Sequence, residues 1–87
     1  MSYCIVYQNG KITNNRFIPL SNYYLYHSAS FQTLISAENA LNTLGLLTYI
    51  VPGIQKRVVI VDEDEYDRYV NESSSLRILS KPRYSLL

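Results

Sequence analysis

Along the first third of the chain apolar and polar positions alternate in short blocks. A helical spacing follows, and then two nearly unbroken apolar runs. Tyr3 to Gln8 is rich in β-branched and aromatic residues and predicts a strand. Asn9-Gly10 comes next, the dipeptide preferred where a tight hairpin needs positive φ at both central residues. A return strand is expected from Lys11 to about Ile18, with Asn14-Asn15 as a bulge or second turn and Pro19 as its end. Asn22 to His27 predicts a short third strand, with an aromatic loop as the alternative. Ser28 or Ser30 then offers an N-cap. The helix it would open carries Phe31, Leu34, Ile35, Leu41 and Leu44 on one face, Ala37 and Ala40 on its flank and Glu38 beside the stripe. Gly45 stands where a helix-ending glycine belongs. Leu46 to Val51 and Arg57 to Val61 predict two central strands about a Pro52-Gly53 turn. Asp62 and Glu65 have capping-box spacing. They open a second helix that reaches about Glu72, with Tyr66, Tyr69 and Val70 on one face. Ser73-Ser74-Ser75 predicts a turn, and Leu76 to Leu79 a last strand.

The expected class is therefore α+β in a single domain covering residues 1–87. From Tyr23 onward the order β-α-β-β-α-β follows the split βαβ plan of ferredoxin-like domains. The N-terminal hairpin is added to that unit, and the long helix packs on a mainly antiparallel sheet. The alternative is one antiparallel sheet with that helix across one face.

Composition narrows the class of protein. A chain of 87 residues buries only about 60–65% of its unfolded surface, so its core is thin. Small domains compensate with disulfides, a structural metal or a partner. Cys4 is the only cysteine and His27 the only histidine. That rules out an internal disulfide and a four-ligand zinc site within one protomer, and leaves association. No apolar run reaches the length of a membrane span, and the N-terminus has no basic, apolar leader. A lone cysteine suits a reducing compartment, so the expected location is the cytoplasm. A net charge of +1 gives no electrostatic footprint for nucleic acid. The abundance of Asn, Ile and Tyr together is associated with AT-rich genomes such as those of phages, viruses and low-GC bacteria.

Candidate chemistry is sparse. Cys4 and His27 form the only conceivable nucleophile–base pair, but Cys4 sits in an apolar strand, which predicts an inert thiol. No catalytic residue, metal ligand or cofactor is expected. Six of the seven acids fall between Asp62 and Glu72. Asp62, Glu63, Asp64 and Asp67 either serve a helix start or make an acidic patch for a basic partner surface. The nine tyrosines offer large contact area at low entropy cost. Tyr23, Tyr24 and Tyr26 are candidate contacts, with core packing the competing reading; in a strand, Tyr24 and Tyr26 would share one face and Tyr23 the other. Lys56, Arg57 and Arg77 are candidate phosphate contacts, or a solvated surface.

These features point to a non-catalytic protein–protein interaction domain, a self-associating small inhibitor or adaptor of a larger protein. The alternative is a nucleotide or metabolite sensor of ferredoxin-like fold.

Overall fold

The structure is a computed structural model that describes residues 2–43 and 53–84. Two long strands open the chain, β1 (Tyr3–Thr13) and β2 (Arg16–Phe31). They are followed by α1 (Leu34–Thr43), β3 (Gln55–Asp62), α2 (Glu63–Glu72) and a two-residue β4 (Arg83–Tyr84). The described strands form one antiparallel sheet in the order β2-β1-β3-β4. The α+β class and the antiparallel sheet are as expected. The ferredoxin-like order is not. β3 pairs with β1, from Tyr3↔Asp62 to Gly10↔Gln55, and not with the Tyr23–His27 segment. The physical reason lies in the residues of β1. Cys4, Ile5 and Val6 are apolar on both faces, which suits a central strand, whereas β2 exposes Leu20, Tyr24 and Leu25.

The hairpin turn is also displaced from the Asn9-Gly10 signal. Asn14 and Asn15, at φ 53° and 62°, make the turn, as the positive φ of a two-residue hairpin requires. Gly10 lies inside β1, opposite both Pro19 and Gln55. A Cβ there would meet the Phe17 ring at 2.3 Å and the Ile18 carbonyl at 2.5 Å, so this glycine serves close approach and not turning. Pro19 does not end its strand. It is tolerated because β2 is an edge strand among the described residues.

Ten residue steps along β1, Thr13 to Tyr3, face fifteen along β2, Arg16 to Phe31. Bulges in β2 take up the surplus and bend the strand. Ser28 and Ser30 therefore sit in β2 and not at a helix start. Thr33 takes the cap role, its Oγ1 accepting from the Ser36 N–H at 3.1 Å. Phe31 belongs to the strand, and Ile35 is 70% exposed, so the buried stripe of α1 reduces to Leu34, Ala37, Ala40 and Leu41. Leu44, Gly45, the Leu46–Val51 strand, Pro52 and the last residues Leu86-Leu87 lie outside the described residues. Residues 76–79 form no regular strand. They run beside β3 through Leu79 N–H to Ile60 O and Ile60 N–H to Ser80 Oγ, both 2.9 Å; Pro82, without an N–H, precedes β4.

Alternation divides the core between the two faces of the sheet. Ile5, Val58 and Ile60 meet Ala37 and Leu41 of α1. Cys4, Val6, Val59 and Val61 meet Tyr66 of α2 and Leu76. Among the described residues no helix is long and apolar enough to cross a membrane.

Candidate functional site

Strand register builds a polar row on the α2 face. Tyr84, Arg57, Gln8 and Tyr23 stand opposite one another across β4, β3, β1 and β2, and directly opposed residues share a face. Gly10 leaves a gap beside the row, and Phe17 fills it. The Arg57 guanidinium sits 4.7 Å from the Phe17 ring centroid and 5.8 Å from that of Tyr23. Phe17 in turn meets Tyr84 at 5.5 Å. Arg57 Nη2 donates to Gln8 Oε1 at 2.6 Å and to the Tyr23 hydroxyl at 2.9 Å. Gln8, itself buried, is fixed by its Nε2, which donates to Ser21 O at 2.9 Å. Arg57 Nε is enclosed and has no hydrogen-bond partner.

Tyr23 links this row to a cleft of about 390 Å³ between β2 and α2, lined by Asn22, Tyr23, Tyr24, Tyr66, Tyr69, Val70 and Ser73. Tyr66 and Tyr69 stack with ring centroids 6.2 Å apart, and Tyr69 meets Tyr23 edge-on at the same distance. The Tyr69 hydroxyl accepts from the Tyr23 N–H at 3.1 Å. Burial raises the Tyr66 phenol pKa, the neighbouring Cys4, Tyr69 and Asp67 add to the rise, and the Leu25 backbone opposes it. At the mouth of the cleft Tyr24 is 47% and Val70 58% exposed.

The three candidate tyrosines divide as expected for a strand. Tyr23 faces α2, while Tyr24 and Tyr26 flank Tyr7 on the other face, at 5.7 and 5.8 Å. Tyr24 also reaches the cleft, and Tyr26 packs against the α1 core. Asp62 caps α2, accepting from Asp64 N–H at 2.9 Å and Glu65 N–H at 3.2 Å. The capping box is half made, because Glu65 pairs with Arg77 at 3.4 Å. Glu63 contacts the Ser30 hydroxyl, and Asp64 and Asp67 are exposed. The acidic segment thus includes one structural cap and a charged outer rim on α2.

The proposed phosphate triad is not assembled. Lys56 lies on the opposite face from Arg57, its Nζ 5.0 Å over Tyr7, and Arg77 is held by Glu65. Cys4 is buried, and its thiol is pushed up to about 12 by burial, with Glu63, Asp67 and Asp62 adding to the effect. A thiol so shifted supplies no thiolate nucleophile near neutral pH. The register sets His27 against Ile5. Among the described residues no group of His, Cys, Asp and Glu is placed to hold a metal ion.

Sequence reasoning passed over Gln8, Phe17, Tyr69 and Tyr84. The one local signal was Gly10, read as a turn residue when it marked a close approach. Comparison with protein-family models, with curated proteins and with solved structures finds no match to this chain.

Proposed function

We propose that this chain is a non-catalytic protein-interaction domain, a self-associating small inhibitor or adaptor that engages its partner through the tyrosine cleft between β2 and α2. The observation that carries this reading is the cleft itself, walled by phenols and flanked by the exposed side chains of Tyr24 and Val70. Tyrosine and exposed aliphatic side chains around a concavity supply the apolar centre and polar fringe of an interface. α2 contributes five carboxylates against one arginine, so the segment that enters the cleft is expected to be apolar with basic flanks. The sensor alternative has lost the clustering of Lys56 and Arg77 with Arg57, and the cleft reading does not depend on those residues.

Native mass spectrometry of the tagged chain with host lysate tests the reading and separates self-association from a foreign partner by mass. Tyr24→Ser with Val70→Asp should abolish the captured complex. Ile35→Ser, an exposed position on α1, should leave it intact. If the cleft variant keeps its partner and Ile35→Ser loses it, the contact surface lies on the α1 side and this reading is wrong.

A further inference from the structure

We propose that Arg57 is a binding residue for a single oxyanion, a carboxylate or a phosphate, received on Nη1, the guanidinium nitrogen that its own protein contacts leave unused.

The first ground is charge. All seven acidic side chains of the sequence, Glu38, Asp62, Glu63, Asp64, Glu65, Asp67 and Glu72, fall within the described residues. The only ion pair among the described residues joins Arg77 to Glu65. Arg57 is drawn into an aromatic and amide setting without a carboxylate. Cations held in such settings are ordinarily paired, because desolvating an unpaired charge is costly. Two rings and two neutral acceptors offset part of that cost and leave the site electropositive.

The second ground is geometry. Both hydrogen bonds from the guanidinium leave through Nη2. Their acceptors are themselves held, Gln8 by Ser21 and the Tyr23 ring by its edge-on contact with Tyr69. A long side chain that is normally mobile is therefore fixed before any ligand arrives, which lowers the entropy cost of binding. Nη1 has no protein acceptor among the described residues, and a charged N–H donor makes a short, strong hydrogen bond to a carboxylate or phosphate oxygen. Gly10 is the sequence feature that makes the arrangement fit, since a Cβ there would displace Phe17.

The site shares Tyr23 with the cleft but does not rest on the protein-interaction reading. An oxyanion at Arg57 and a partner in the cleft are separate events with separate tests.

The test is side-chain and backbone amide NMR of the full chain, titrated separately with inorganic phosphate and with acetate at constant ionic strength in chloride. Saturable shifts are expected at Arg57 Nε–H and at the Gln8 and Tyr23 amides. Saturation by phosphate alone identifies a phosphate site, by acetate alone a carboxylate site, and by both a general oxyanion site. Tyr23→Phe keeps the ring and removes one anchor, and should weaken binding by roughly three- to tenfold, the equivalent of freeing one long side chain. Arg57→Gln should abolish the response at Gln8 and Tyr23. If Arg57→Gln loses the fold, Arg57→Lys serves instead; it keeps the charge without the doubly anchored planar group and should bind more weakly than the wild type. Shifts that are linear and equal to those in chloride, or an Arg57→Gln response matching the wild type, would overturn the proposal and leave Arg57 as a structural cation.

Discussion

At the scale of single residues, Gly10 is the position with least tolerance. Phe17 could swing away from a new methyl group, but the Ile18 carbonyl, 2.5 Å from that Cβ, is backbone and cannot. Gly10→Ala is expected to destabilise the fold by about 1–3 kcal/mol, the usual cost of overpacking, measured by urea denaturation. Cys4 makes a different kind of prediction. Its thiol is raised from an ordinary 9.0 to about 12 in the folded chain. The unfolded chain therefore gives up its proton first as pH rises. Stability from this group is whole below about pH 9 and is lost progressively between 9 and 12. Tyr66, shifted in the same direction, steepens the alkaline arm. Cys4→Val should flatten the fall in melting temperature above pH 9, and the native thiol should resist alkylation at pH 8 until the chain unfolds.

Among the elements, the hairpin shows how far local pattern reaches. Strand character in Tyr3–Gln8, the helix at Glu63–Glu72 and the burial of Val58–Val61 were all legible, because period and capping are local properties. The turn was not. Asn-Gly and Asn-Asn both permit positive φ, and the choice between them is made by what β2 must pair with once its bulges are counted. The same bulges hid the strand continuing through Ser28 and Ser30. Two substitutions separate the turns. Asn15→Val should cost about 1–2 kcal/mol, the penalty of a branched residue in left-handed backbone. Asn9→Val should be close to neutral, since Asn9 lies in extended pairing opposite Lys56. At the second helix, Asp62→Ala removes the acceptor for two backbone N–H groups and should cost about 1 kcal/mol. Thermal melts of the three variants check all of these together.

For the whole molecule, rigidity is concentrated in one pair of strands. The largest fully buried side chains, Ile5, Val6, Val58, Val59, Ile60 and Val61, all belong to β1 and β3, and both helices lean on that pair from opposite sides. Hydrogen exchange should be slowest at Ile5, Val6 and Val58–Val61. It should be faster by orders of magnitude in the hairpin arm of residues 11–20, whose side chains are almost all exposed. Arg57 could not be recognised as a cage residue from sequence for the same reason that the core could not be ordered. Gln8, Phe17, Tyr23 and Tyr84 are scattered over the chain and meet only through register.

The phenol of Tyr69, stacked on Tyr66, engages the backbone of Tyr23 along the outer margin of β2. Among the described residues that margin pairs with no other strand, and its main-chain groups are of the kind by which sheets recruit foreign strands. α2 therefore acts as a guard as well as one wall of a cleft. Any event that lifts it, whether a protease cut in the 73–75 serines, a strong alkaline shift or a partner that claims the helix, would uncover a strand ready to template another. The Tyr69 hydroxyl, bonded to the Tyr23 N–H, is the contact that holds the guard against that strand.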